Sequence, residues 1–425
     1  MDSQTRTSSA FVIVTTLFFA WGFTTSLIDP LVASVKAIFS LTDVEAQLSA
    51  SAFFIAYGLM SFPAAAFLSR VRAVRCLLLS LTLMLIGCLV MLGAVELELY
   101  ALLLCGLFVL ASGITGLQVA ANPLAAALGP PAKSHFRLTL SQAFNSLGTF
   151  IGPYCGALLF LEGVEIKEGV NITAEVRATA LAGIDRAFFW IAVLIGLLAL
   201  FIFVSRRVLS AASPASTSTP LNVAALLRDA LSSRWAVLGG GAIFLYVGAE
   251  VAIGTQMALF LNGQDILGLP LQDAGKLVSL YWGGAMVGRL IGTLLLTRVS
   301  AARLLAVFAA VNAAICAIVI STSGEPAGYA ALSMGLFNSV MFPLIFSLTL
   351  ERSTASAAAT SGFLCFSIVG GAAIPPLVGL VSQHSSYSFA FIVPALCYTL
   401  LAGFAVMAAW HKFGAISPST QDDRP

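Results

Sequence analysis

Charge is scarce in this sequence. Asp, Glu, Lys and Arg together make up 9% of its 425 residues, against about 25% in an ordinary soluble domain. So few charges cannot cover the surface of a soluble protein of this length. A cytosolic enzyme, a nucleic-acid binder and a disordered chain are excluded on that ground. A disulfide framework and a metal-ligand pattern are also missing. The seven cysteines (Cys76, Cys88, Cys105, Cys155, Cys316, Cys365 and Cys397) all fall in or at the ends of apolar runs. There is no G-x-x-x-x-G-K-[ST] phosphate loop. Any uphill work must therefore draw on an ion gradient, and no cofactor is expected.

Apolar residues, by contrast, are abundant. They form 59% of the chain, and the mean hydropathy is +0.98. A helix crosses a bilayer with about 20 mainly apolar residues. Twelve stretches meet that need: 10–36, 45–69, 75–95, 98–128, 137–162, 181–206, 234–262, 273–297, 302–322, 327–351, 357–383 and 387–412. They are long and apolar on every face, which predicts helices and not the short alternating strands of a barrel. The first is too long for a cleaved signal peptide and lacks its basic flank and cleavage site. An even number of spans puts both termini on one side. On that side lie 15 of the 21 basic residues, in clusters such as Arg70/Arg72/Arg75, Lys133/Arg137, Arg206/Arg207 and Arg298/Arg303, with Lys412 and Arg424 at the end. The other side has Lys36, Lys167, Arg177, Arg186 and Lys276. The positive-inside rule makes the first side cytoplasmic. Acidic residues gather outside, Glu162, Glu165 and Glu168 among them. Asn171-Ile-Thr, in an outer loop, is a short glycosylation sequon of the kind that arises by chance.

The longest inner loop contains Ser210-Ala-Ala-Ser-Pro-Ala-Ser-Thr-Ser-Thr-Pro220, a low-complexity linker. It divides the chain into a six-span bundle over 1–206, a cytoplasmic linker over 207–233 and a second six-span bundle over 234–425. The halves share a short repeat. At an offset of 228, Arg70, Val71, Ala73 and Arg75 recur as Arg298, Val299, Ala301 and Arg303. Six plus six spans with a cytoplasmic linker is the layout of the major facilitator fold, whose substrate site lies at mid-membrane between the halves.

Polar residues inside apolar spans are expensive, and they mark function by default. Two carboxylates qualify, Asp29 in span one and Glu250 in span seven, the matching helices of the two halves. Each is a candidate cation-coupling residue; Glu250 is also a candidate substrate contact. Asp29-Pro30 has a second reading, as the outer end of a span already complete at residue 28. Amides form local groups: Gln118 with Asn122, Gln142 with Asn145, and Asn338 alone. Spacings of three and four put each pair on one helix face. Amides both donate and accept, which suits a ligand covered in hydroxyls; the alternative is interhelical bonding. Trp282, Trp21 and Tyr246 are candidate aromatic contacts, an indole being able to carry the C–H face of a sugar ring. Arg289 reads as a structural residue that snorkels, pairs with Glu351 or belongs to an inner gate.

Several segments resemble one family. They are Gln118-Val-Ala-Ala-Asn-Pro123, Ala127-Leu-Gly-Pro130 and His135-Phe-Arg-Leu-Thr-Leu-Ser-Gln-Ala-Phe-Asn-Ser-Leu-Gly148, with Trp21-Gly-Phe, Tyr246-Val-Gly-Ala-Glu250, Tyr281-Trp-Gly-Gly-Ala-Met-Val-Gly-Arg289 and Phe337-Asn-Ser-Val-Met-Phe-Pro343. They are similar to the fucose–galactose–glucose:proton symporters of the major facilitator superfamily, nearest to the glucose/galactose branch. The resemblance implies import of a hexose or amino-hexose with a proton, sodium being a second candidate ion. It also implies an interior Asp29 and sugar contact from Gln142 and Asn145. One departure stands out. Gln118 occupies the position of the fucose branch's second carboxylate, and an amide cannot exchange a proton. The expectation is a monomeric, multi-pass inner-membrane symporter and not an enzyme, with a sugar and the lipid bilayer as partners and no nucleic acid. A proton-coupled efflux antiporter for amphipathic molecules and a non-transporting sugar sensor are the alternatives.

Overall fold

The computed structural model describes residues 3–129, 134–162, 164, 173–212 and 223–410. Asn171 and Ile172 of the sequon, most of the 210–220 linker, Lys133, Lys167, Glu165, Glu168, Lys412 and Arg424 lie outside them. Every regular element among the described residues is helical. The first half contains Ser3–Ser26 continued by Ile28–Ile38, then Asp43–Arg70, Ala73–Glu96, Tyr100–Ala127, Ser134–Phe160 and Ala174–Val204. Two short helices, Arg206–Ala212 and Val223–Ser232, flank the linker. The second half contains Arg234–Asn262, Leu271–Leu295, Ala301–Ser321, a tenth span split into Gly324–Asn338 and Met341–Arg352, an eleventh split at Ser367–Val369, and Tyr387–Ala390 with Ile392–Trp410.

Eleven of the twelve expected spans are long and apolar enough to cross a membrane. The fifth, Ser134–Phe160, has the length. Gln142, Asn145, Ser146 and Thr149 dilute its hydropathy, and the first three bond to side chains or backbone of other helices. The first and sixth spans begin about two turns before expected, the first at Ser3 and not 10, the sixth at Ala174 and not 181. Thr173 explains the earlier start of the sixth: its hydroxyl accepts from the Val176 N–H and caps the helix.

The same pairings recur six spans apart. The first span packs on the fifth as the seventh does on the eleventh; the second packs on the fourth as the eighth on the tenth; the third on the sixth as the ninth on the twelfth. Close approach is possible where small residues line the seam. A Cβ at Gly335 would fall 1.8 Å from the Tyr281 carbonyl oxygen, so no other residue fits between spans eight and ten there. The halves meet where span two packs on eleven, five on eight and one on seven.

Prolines explain part of the polar stitching. Proline has no N–H, so it frees the carbonyl four residues earlier. Pro376 frees Ala372 O, which accepts the Ser51 hydroxyl from the other half at 2.6 Å. At the end of the bundle away from the linker, Asp43 is held by three groups. Lys36 Nζ pairs with it, Ser382 Oγ donates at 2.9 Å and Tyr387 Oη donates at 2.9 Å. The last two belong to the second half, so this cluster ties the halves together. Thr255 Oγ1 donates to Gln47 Oε1 at 2.9 Å in the same region. At the linker end, Asp229 of the helix Val223–Ser232 accepts from the Ser356 hydroxyl (2.7 Å) and N–H (3.0 Å). Those bonds hold the Asp229 carboxyl below its ordinary pKa. Arg137 spans the turn between spans four and five and donates to the end-of-helix carbonyl Ala125 O at 3.3 Å.

Candidate functional site

The first span does not end at Asp29. The helix breaks at Leu27 and resumes as Ile28–Ile38, with Asp29 and Pro30 in its first turn. Pro30 suits that turn, where its missing N–H has no intrahelical partner to lose. Asp29 is 2% exposed. Its Oδ2 accepts the Trp282 indole N–H from span eight at 2.6 Å. Gly254 of span seven faces it, and a Cβ there would lie 3.1 Å from Oδ1. The carboxylate therefore sits at the junction of spans one, seven and eight, inside the bundle. The outer-end reading of Asp29 is corrected by this geometry.

Glu250 lies within electrostatic range of Asp29, but its partners are within its own half. The Tyr246 hydroxyl is 2.6 Å from Glu250 Oε1 and 3.0 Å from the Asn338 carbonyl oxygen. Tyr281 Oη donates to the Glu250 main-chain oxygen at 3.2 Å and accepts Asn338 Nδ2 at 2.7 Å. Asn338 Oδ1 accepts Tyr398 Oη at 2.8 Å and Asn312 Nδ2 at 2.8 Å. Asn338 is fully buried. It is the last residue of its helix, and the final carbonyls of a helix have no intrahelical partner. The break in span ten is thus what offers Asn338 O to Tyr246. Pro343 likewise frees Ser339 O, which accepts Arg289 Nε at 3.4 Å.

The other expected residues fall into two groups. Gln118 Nε2 donates to Tyr57 Oη at 3.1 Å, and Gln142 Nε2 donates to Asn122 Oδ1 at 3.3 Å. Gln118, Asn122 and Gln142 remain partly exposed, with donors and acceptors to spare. Asn145 instead donates to Phe18 O of span one at 3.1 Å, an interhelical bond within the first half. Trp21 is buried against Phe18, with ring centroids 4.1 Å apart. Arg289 does not pair with Glu351, which pairs with Arg352 at 3.2 Å. It donates to Ser146 Oγ of the first half at 2.7 Å.

Sequence reasoning missed Tyr57, Asn312, Tyr398 and Ser146. Asn312 had a signal, since it is an amide inside the run 302–322. The tyrosines had none, because a tyrosine in a span is ordinary until its hydroxyl has a partner. Neither broken-helix carbonyl was anticipated, although Pro343 marked one.

Two helical bundles that repeat the same pairings, with broken spans and two acids inside apolar helices, have the architecture of a membrane carrier. The comparisons agree. The Major Facilitator Superfamily profile matches residues 12–368, and the chain belongs to that superfamily. It is a multi-span membrane transporter and not an enzyme. A glucose/galactose transporter of Brucella abortus is 38% identical over 408 residues, covering 96% of each chain. An L-fucose-proton symporter of Escherichia coli is 30% identical over 414 residues, 93% of this chain and 92% of that one. A crystal structure of the Escherichia coli fucose:proton symporter superposes with a TM-score of 0.69 at 27% identity, covering 94% of this chain and 98% of that one.

Proposed function

We propose that the protein is an inner-membrane symporter that imports a hexose or amino-hexose, such as glucose or galactose, with a proton. Both termini are cytoplasmic and the monomer is the working unit. One observation carries the reading: a buried carboxylate, Asp29, at a helix break between the halves, bonded to an indole of the opposite half. A proton on Asp29 neutralises the site for transit through a low-dielectric interior, where a lone charge is costly. Loss of that proton on the cytoplasmic side resets the carrier. Glu250, bonded to Tyr246, is the second coupling acid. Gln118, Asn122, Gln142 and Asn145 line the first-half face towards the sugar, and the Trp282 indole ring supplies its stacking surface. The names of the relatives at 38% and 30% identity support a sugar substrate. Gln118 in place of a carboxylate favours the glucose/galactose side over fucose.

The test is uptake of a panel of labelled sugars into sealed proteoliposomes, with a proton or a sodium gradient imposed separately. Accumulation of a hexose under the proton gradient alone is expected. Accumulation under the sodium gradient alone would replace the ion. No accumulation under either would overturn symport.

A further inference from the structure

Asn338 has the residue type and depth of a sugar ligand, yet nothing in its surroundings leaves it free to act as one. Oδ1 takes Tyr398 and Asn312, Nδ2 holds Tyr281, and the main-chain oxygen faces Tyr246. Tyr246 is the point of interest. Its hydroxyl has one hydrogen and two acceptors, Glu250 Oε1 at 2.6 Å and Asn338 O at 3.0 Å. Both distances are those of a good hydrogen bond, and one hydrogen cannot satisfy both fully.

We propose that Asn338 is a positioning residue for Glu250, acting through Tyr246 and Tyr281 and not through the sugar. With Glu250 ionised, the Tyr246 hydroxyl donates to Oε1. When Oε1 binds a proton, the new carboxyl O–H donates to the Tyr246 oxygen. The Tyr246 hydrogen then rotates about the C–O bond to Asn338 O. One proton enters, no bond of tyrosine breaks, and every donor keeps an acceptor in both states. The split tenth span supplies the second acceptor. Asn338's side chain fixes the tenth span to Tyr281 and Tyr398, so the acceptor stays in place. The charged and titratable groups around Glu250 are Tyr246 on its own helix, Tyr281 and Arg289 of span eight, Tyr398 of span twelve and Asp29 of span one. Of these, Tyr246 alone bonds its carboxylate among the described residues.

The inference rests on Glu250 being a coupling acid, so the experiment separates the two claims. The readouts are sugar counterflow against pH and sugar affinity at the acidic plateau, both in proteoliposomes. Tyr246→Phe removes a donor to the ionised carboxylate. The pH of half-maximal exchange should rise by about one unit, with sugar affinity within about twofold. Asn338→Ala loosens the acceptor that Tyr246 uses only when Glu250 is protonated, so its midpoint should fall, and in the Tyr246→Phe background it should add nothing. If Asn338→Ala does not reach the bilayer, Tyr281→Phe takes its place. An unmoved midpoint in Tyr246→Phe overturns the proposal. So does a loss of about tenfold or more in sugar affinity in Asn338→Ala with the midpoint unchanged, which would make Asn338 a ligand. Glu250→Gln judges the coupling reading itself. If it still accumulates sugar with the native pH profile, that reading fails and the inference falls with it. If it stops accumulating while Tyr246→Phe is unchanged, the inference alone fails.

Discussion

Replacing Trp282 with Phe separates two jobs that one side chain can do. The indole N–H donates to Asp29 Oδ2 at 2.6 Å, and its ring is a flat apolar face beside the site. Phenylalanine keeps a face and deletes the donor. Asp29 is 2% exposed, so water does not readily replace the lost bond. A hydrogen bond to a charged group contributes about 1.5–3 kcal/mol, which corresponds to about 1–2 pH units at 1.36 kcal/mol each. The loss falls on the ionised carboxylate and scarcely on the protonated one. Protonation is therefore favoured, and the alkaline limb of the exchange profile moves to higher pH by that amount. At neutral pH the proton leaves more slowly, so net uptake falls while exchange at a symmetric acidic pH persists. The assay is counterflow in proteoliposomes from pH 5 to pH 9, with sugar affinity measured at the acidic end. A profile unchanged in position, with only the sugar affinity reduced, would refute the argument and leave Trp282 a stacking residue.

Asp29→Asn preserves shape and cannot gain a proton; concentrative uptake should vanish while exchange continues. A one-to-one proton symporter can reach about tenfold accumulation per unit of pH gradient, and the variant should stop at equality; retained accumulation would remove Asp29 as the carrier. Gln142→Ala and Asn122→Ala should each weaken sugar affinity by about tenfold, with less than additive loss in the double variant because the two are bonded to each other; unchanged affinity in both would make them packing residues. Asp43→Ala removes the group that Lys36, Ser382 and Tyr387 share. Labelling of a cysteine placed at Thr255 should become faster from the side away from the linker, and an unchanged rate would show that the cluster does not close that end. Asp229, held below its ordinary pKa by Ser356, stabilises the linker helix above the unfolded value and ceases to as pH falls through the folded one. Hydrogen exchange in Val223–Ser232 should quicken on acidification in the native protein and be fast throughout in Asp229→Ala; equal acid sensitivity in both would refute the anchor.

The spans were legible because bilayer thickness sets a length and a composition, and both can be counted along a line. The two acids were legible for a related reason: a carboxylate in an apolar run conflicts with its solvent. What the sequence could not reveal was where each polar group finds its partner. Asn145 and Asn338 look alike in sequence, amides in apolar helices. One bonds a neighbouring backbone within the first half, and the other is the centre of a network of four side chains. Prolines are an incomplete guide to the breaks. Pro343 follows one, but Pro63, Pro123 and Pro153 lie inside continuous helices. Pro376 also lies inside a continuous helix although its freed carbonyl accepts Ser51 from another span, so neither a proline nor a donor for its freed carbonyl marks a break.

The two acids differ in where their bonds are anchored, and this bears on the proposed cycle. Asp29 belongs to the first half and is held by Trp282 of the second. Glu250 belongs to the second half and is held by Tyr246 of the same helix. When two rigid halves rock apart, a bond across the seam must break, whereas a bond within one half need not change. Only Asp29 therefore has a hydrogen-bond environment tied directly to which way the carrier opens. That dependence is what coupling requires, since an ion shifts a conformational equilibrium only by its difference in affinity for the two states. Glu250 meets the requirement only if something carries the motion to it. Asp29 lies within its electrostatic range, and so does Arg289, which donates to Ser146 of the first half. Separation of the halves would free Arg289 from Ser146 and leave its charge with Glu250 as the nearby acid. On this geometry Asp29 responds to the movement at first hand and Glu250 responds through Arg289, so Ser146→Ala should disturb coupling through Glu250 without touching either acid.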